Sequence, residues 1–277
     1  MKKKRIIPIL LLRNGWLVQS KEFSRYQNLG NPVTAVKRLS EWGSDELIYL
    51  DISKNNIYDT RRDDLAHPNR KSFIQIIEDV SKVSFMPMTV GGKVKSTSDI
   101  EKYLSVGADK VSINAHALVQ KSFIKEAAKT FGSQCIVISV DVKMTTSNKY
   151  RVFDHTVNKI TEIDPVEWVK FLEGLGAGEI LLNSVDNDGM NCGYDIKLIN
   201  QVTDATTIPI IACGGVGKWE DFEEGILNTK ADAFAAANIF HFRDQSVYLA
   251  KKYLLSKGLN VRKPILYNIN TNNINSI

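Results

Sequence analysis

Cysteine is scarce in this chain of 277 residues, which contains 3. Cys135, Cys192 and Cys213 lie far apart with no C-x-x-C pair. A disulfide scaffold or a zinc ribbon needs more sulfur at closer spacing, so reduced thiols in a cytoplasmic protein are expected. Histidine is equally thin, with 4 residues. His67, His116, His155 and His241 are scattered on loops without clustering, so no metal site is expected, and no motif calls for a cofactor. Long apolar runs are also missing, since none reaches the roughly 18 residues of a bilayer span. The opening MKKKRIIPILLLRNG imitates a secretion signal. Its apolar run extends only from Ile6 to Leu12, contains Pro8, ends at Arg13 and has no small-residue cleavage site, so it reads as a buried strand. Lys plus Arg number 36 against 31 for Asp plus Glu, a net charge of +5. That surplus, partly in Lys2 to Arg5, does not imply nucleic acid, though it suits an anionic small molecule.

What is present is an alternation. Eight short apolar runs, RIIPILLL, ELIYLDI, FMPMTVGG, KVSIN, CIVISVDV, EILLNSV, IPIIACGG and AFAAANIF, are separated by amphipathic segments such as PVTAVKRLSEWG, STSDIEKYLSVG and DPVEWVKFLEGLG. Continuous apolar strands are the mark of a parallel sheet covered on both faces, and capped helical segments between them complete βα units. Eight units predict one closed (β/α)8 TIM barrel over residues 1–262, followed by an Asn- and Ile-rich tail over 263–277 with no assigned chemistry. A doubly wound sheet is the rival. It lacks support because no G-x-G-x-x-G follows the first strand, and the glycine pairs come after the third and seventh strands instead.

The chain also repeats itself. LSEWGSDELIYLD is similar to FLEGLGAGEILLN with Glu46 and Glu179 aligned, and GADKVSIN to KADAFAAAN at the same offset that aligns Gly91-Gly92 with Gly214-Gly215. Two half-barrels of four units share one design. Each half then carries a glycine pair with an Asn one strand later: Gly91, Gly92, Lys93 and Asn114, and Gly214, Gly215 and Asn238. Backbone N–H groups at such loops bind phosphate without a side chain, and two of them fit a ligand phosphorylated at each end; the plainer alternative is that the glycines only let the loops turn. Asp141 ends the fifth strand, where a side chain enters the barrel mouth as a catalytic acid or base, or stays as a satisfied structural carboxylate. The repeat places Leu11 opposite Asp141. Asp186, Asp188 and Gly189 form an acidic turn after the sixth strand, open to ligand contact or turn chemistry. Arg5, Glu46, Lys110 and Glu179 stand before or at the starts of strands, and spacing alone leaves open a salt-bridged plug or a gate.

KRIIP, DELIYLDI, TVGG, GADKVSIN, FGSQC, DPVEWV, LGAGEILL, DNDGMNCGYD and the IFHF after Asn238 together resemble the cyclase subunit family of imidazole glycerol phosphate synthase, over residues 4 to about 262. The resemblance implies a barrel that takes ammonia from a glutaminase subunit docked on its N-terminal face. In that family the ammonia is used to cleave and cyclise a bisphosphorylated intermediate of histidine and purine metabolism. Asp141 matches one of the family's two catalytic aspartates and Leu11 stands at the other, which leucine cannot replace in proton transfer. Gln19 replaces a phosphate-contacting lysine, and Lys93 replaces the third glycine of the phosphate loop, where its side chain would enter the ligand space. Asp188 and Gly189 match the ligand-binding loop, and Arg5, Glu46, Lys110 and Glu179 match the charged ring that gates ammonia.

That pattern implies a divergent barrel half of a glutamine amidotransferase pair, its cyclisation impaired and its ammonia delivery kept. Paralogous pairs of the wider family serve bacterial surface-sugar pathways, feeding an ATP-dependent sugar amidotransferase that forms an acetamidino group. The alternatives are an ordinary synthase cyclase, a lyase of histidine biosynthesis compensating for Leu11 by another group, and a non-catalytic scaffold that activates a glutaminase.

Overall fold

A computed structural model of the chain describes residues 2–21, 25–55, 57–58 and 70–268. Eight parallel strands close into a ring: β1 (Arg5–Arg13), β4 (Leu47–Asp51), β5 (Met88–Gly91), β6 (Lys110–Ile113), β7 (Ile136–Met144), β10 (Glu179–Ser184), β11 (Ile210–Cys213) and β12 (Ala233–Ala236). Closure comes from β12 pairing in parallel with β1, Arg5 opposite Ala233 and Pro8 opposite Ala236. This is the expected (β/α)8 barrel.

Helices cover its outside because the segments between strands carry their own start signals. In α1 (Pro32–Glu41) Asn31 caps the Val33 N–H and Pro32 opens the first turn; in α6 (Pro165–Gly174) Asp164 and Pro165 do the same. The equivalent helices α3 (Thr97–Ser105) and α8 (Trp219–Asn228) each receive an aspartate at the third position. Asp99 accepts the N–H groups of Lys95 and Ser96, and Asp221 those of Gly217 and Lys218.

The barrel interior is layered because alternate strand residues face it. Ile7, Ile9, Ile48, Val137, Leu181, Ile211, Ala233 and Ala235 form a closed apolar middle layer, and Leu11, Leu50, Cys213 and Ala237 pack on it, partly buried. The larger core lies between strands and helices, around Ile6, Leu10, Tyr49, Phe222 and Phe234.

Two antiparallel inserts follow β1 and β7, equivalent strands of the two halves. In the first, β2 (Trp16–Lys21) folds back on β1 through Asn14 and Gly15, both at positive φ, and pairs with β3 (Arg25–Gly30). In the second, β8 (Tyr150–Asp154) pairs with β7 and with the short β9 (Lys159–Ile160). The reading as eight plain units did not include them. The run AFAAANIF also divides: the strand ends at Ala236 and Asn238–His241 form a 3-10 turn. Beyond 262, the Tyr267 N–H donates to the Glu41 carbonyl, so residues up to 268 lie against the end of α1. No helix among the described residues is long and apolar enough to cross a membrane.

Candidate active site

The N-terminal end of the barrel is closed by four charges. The Arg5 guanidinium reaches Glu46 at 2.6 Å and also pairs with Glu179, while Lys110 Nζ lies 3.2 Å from Glu46 and 3.0 Å from Glu179. The four come from the first, second, fourth and sixth barrel strands or their approaches, and each cation bridges both anions. The carboxylates are largely buried; the cations are about a quarter exposed. Complete pairing is what permits four charges here, since a single unpaired one would be costly. On the outer side of the ring is a cavity of about 340 Å³ whose lining includes Lys2, Lys3, Lys4, Arg5, Lys110 and Glu179.

At the opposite end, Asp141 is held on both oxygens. Asn114 donates to Oδ2 at 2.8 Å and Asn183, its register partner on β10, to Oδ1 at 3.2 Å. His155 Nδ1 lies 3.3 Å from the same Oδ2. The second insert makes this possible, because β8 runs back antiparallel from β7 and returns His155 to the strand end. His155 does lie on a turn, as expected, but its contact with Asp141 was not anticipated; His67 lies outside the described residues. The signal available in the sequence was TTSNKYRVFD, a polar turn followed by alternating residues directly after a long strand.

Burial and proximity set the acidity of the mouth. The hydrogen bond to Asp141 raises the His155 imidazole above its ordinary value, outweighing burial. Burial, with a smaller contribution from the Asp141 charge, lifts the Asp188 carboxyl to about 7, and its Oδ2 is buried with no hydrogen-bond partner. Cys213 is pushed up by burial and then by the Asp188 and Asp141 charges, so it stays a thiol. Leu11 pairs in register with Leu50 and contributes no ionisable group.

The glycine loops have tight structural duties. Gly92 and Gly215 both adopt positive φ, and a Cβ on either would overlap a carbonyl oxygen, of Asp51 and of Gly193 respectively. Turn geometry alone therefore accounts for these two residues, leaving phosphate binding as an additional use. The N-termini of α3 and α8 are already capped by Asp99 and Asp221, so an anion would have to be held by loop backbone.

Other expected ligand residues have partners within the protein. Asn114 serves Asp141, and Asn238 donates to the Ser20 carbonyl of the first insert at 2.9 Å, leaving its buried Oδ1 without a partner. Gly189 packs against the same insert, where a Cβ would come within 2.9 Å of the Lys21 Cα. Lys93, at φ 58°, sends its ammonium toward the second strand: 3.2 Å from the Tyr58 hydroxyl, 3.1 Å from the Asn55 carbonyl and 3.6 Å from Asp51. Asp51 is itself bound by Tyr58 and Ser53, so this position carries a lysine–carboxylate network. Gln19 lies in the first insert, opposite Gln27.

A family model described as histidine biosynthesis protein matches residues 5–246. The chain belongs to that family. The match begins at Arg5 of the charged ring and continues past Asn238, so it includes both ends of the barrel described above.

Proposed function

We propose that the chain is the barrel subunit of a glutamine-dependent amidotransferase pair, receiving ammonia through its N-terminal face from a glutaminase partner, with cyclisation impaired. The observation that carries this reading is the closed ring of Arg5, Glu46, Lys110 and Glu179 at the mouth of a cation-rich vestibule. A mere plug could be built from apolar side chains without the cost of desolvating four charges. Ion pairs that can exchange partners give a closure that opens for a small polar molecule. Leu11 supports the second half of the reading, because loss of one member of an acid–base pair typically removes about 10²-fold to 10⁴-fold of rate. Among acceptors, a surface sugar converted to an acetamidino derivative by an ATP-dependent amidotransferase suits a barrel that delivers nitrogen without consuming it.

The second reading is an authentic cyclase of histidine biosynthesis. What favours it is the pair of ionisable groups, His155 and Asp188, beside Asp141. One set of assays separates the readings. The purified chain is mixed with a triad-type glutaminase, and complex formation and glutamine hydrolysis are measured; ammonium chloride with the bisphosphorylated cyclase substrate is measured alone. Glutaminase stimulation dependent on Glu179 and Arg5, with ammonium-driven product formed orders of magnitude below a cyclase rate, is the expected result. Full cyclase turnover favours the second reading. Stimulation unaffected by ring substitutions points to a scaffold, and no complex overturns the pairing.

A further inference from the structure

We propose that the cavity outside the charged ring is an anion-binding site that takes carboxylate side chains of the docked partner, and that these loosen the ring by competing with Glu46 and Glu179 for its cations. The partner's identity rests on the reading that a glutaminase docks at this face; the anion site rests on the residues that line it.

The first observation is an imbalance of charge. Lys2, Lys3, Lys4, Arg5 and Lys110 line the cavity together with two carboxylates, Glu179 and Asp232. Arg5 and Lys110 are answered within the ring by Glu46 and Glu179. Lys4 donates to the Ala231 carbonyl at 2.5 Å and is acted on by the Asp232 charge. Lys2 and Lys3 are exposed, and neither belongs to an ion pair among the described residues. Their ammonium groups are left for an anion from outside.

The second is that the lysine run is already held in place. Lys4 bridges to Val261 and donates its N–H to the Asn260 carbonyl at 2.8 Å, while Asn260 Nδ2 donates to the Lys2 carbonyl at 3.4 Å. Backbone fixed beside the cavity before a ligand arrives lowers the ordering cost of binding.

The third concerns the ring itself. Side-chain exposure is 24% for Arg5 and 23% for Lys110 against 12% for Glu46 and 6% for Glu179. An anion entering the cavity therefore meets the ring's cations more readily than its carboxylates. Because each cation contacts both carboxylates, one can turn outward to a new partner while the other still holds Glu46 and Glu179, and no buried charge is left uncompensated.

The size and lining select the occupant. At roughly 30 Å³ per water, the cavity has room for on the order of ten waters, which suits one or two acidic side chains and excludes a helix. Helices between barrel strands turn their C-terminal ends to this face, so no helix N-terminus is available to cradle a phosphate. Separate ammonium groups on long side chains match separate carboxylates on a protein surface.

The test distinguishes the anion site from the pairing. The full chain alone is titrated with a blocked triglutamate peptide, a triglutamine control and pyrophosphate, followed by calorimetry and by the Arg5 Nε–H resonance, which Arg5→Lys identifies. Triglutamate should bind, lose at least about fivefold in affinity between about 50 and 200 mM salt, and shift the Arg5 resonance. Lys2→Gln with Lys3→Gln, both on exposed residues, should weaken binding at least about fivefold. Triglutamate bound no better than triglutamine, binding unchanged in that variant, pyrophosphate bound in place of triglutamate, or an unmoved Arg5 resonance overturns the proposal. With a triad-type glutaminase, Lys2→Glu with Lys3→Glu should raise the Kd of the complex at least about tenfold, and an unchanged Kd overturns the proposal. Absence of any complex with the wild-type chain overturns the pairing reading instead, and the peptide titration, which needs no glutaminase, still decides the anion site.

Discussion

Lys251 Nζ, wholly buried on α9 (Ser246–Ser256), lies 2.6 Å from Asp45 Oδ1 and donates to the Gly43 carbonyl at 2.8 Å. The other oxygen of Asp45 accepts the Ile6 N–H at 2.9 Å. One buried pair thus ties the last helix to the first strand and to the residue before Glu46, fixing the approach to the charged ring.

Lys251→Met should therefore cost stability well beyond a surface substitution. Removing one partner of a buried pair leaves an uncompensated charge, typically about 3–5 kcal/mol, and Lys251→Met with Asp45→Asn should recover part of it. Burial lowers the Lys251 value below the usual 10.5 despite Asp45, so the unfolded chain holds this proton more tightly. Stability contributed by the residue should rise as pH climbs from the lowered folded value toward 10.5. Denaturant titrations of both variants across that range check the size and the slope; a Lys251→Met variant with the same slope as wild type would contradict it.

Asp188→Asn should stabilise the protein at alkaline pH. Its carboxyl is lifted to about 7 in the fold, so the folded state binds a proton that the unfolded chain releases near 4. The penalty for ionising it is absent below the unfolded value, grows between the two and is complete above the folded value. At pH 8 the amide should gain up to about 4 kcal/mol, and at pH 4 little. Melting temperatures at the two pH values measure this directly.

The barrel was legible in the sequence because each strand is an apolar run and each helix supplies a cap, as in Asn31-Pro32 and Asp164-Pro165. The duplicated glycine pairs, and Glu46 with Glu179, were legible because an internal repeat places them at equivalent strand ends; Arg5 and Lys110 have no charged counterpart in that repeat and were assigned to the ring by the family resemblance. His155 was not. Its relation to Asp141 depends on an antiparallel insert reversing the chain, and a single histidine in a polar segment carries no periodic signal. The destination of Lys93 was hidden for a similar reason: position places its backbone in the glycine loop after the third barrel strand, while Tyr58, Asn55 and Asp51 decide where the ammonium goes. Asn14-Gly15 was a readable hairpin turn, and reading the segment around Gln19 only as a loop after the first strand passed over it.

Leu11→Asp tests how much of the mouth is intact. The new carboxyl would enter a layer made by Leu50, Cys213 and Ala237, across the barrel from Asp141. Desolvation and like charge should raise its pKa and cost about 1–3 kcal/mol of stability. If the ligand site is otherwise preserved, ammonium-driven turnover of the bisphosphorylated substrate should increase by about 10²-fold or more. A stable variant with no gain would show that the loops around Lys93 and Gln19 have diverged from that substrate.

Arg5 and Glu179 should be energetically coupled, and the coupling should depend on Lys110. In the ring each cation contacts both carboxylates, so Arg5→Ala leaves Glu46 and Glu179 facing one lysine. Glu179→Gln leaves two cations sharing Glu46. Either change alone should destabilise the barrel by about 1–3 kcal/mol, less than a fully buried pair because the cations are partly exposed. The double variant should cost less than the sum, with a coupling of about 1 kcal/mol or more. Repeating the cycle in a Lys110→Met background should enlarge the coupling, since no second cation remains to compensate. Chemical denaturation of the wild type and the seven variants measures it. Additive effects in both backgrounds would mean that the four charges act as independent surface groups, and a gate built from their exchange would lose its physical basis.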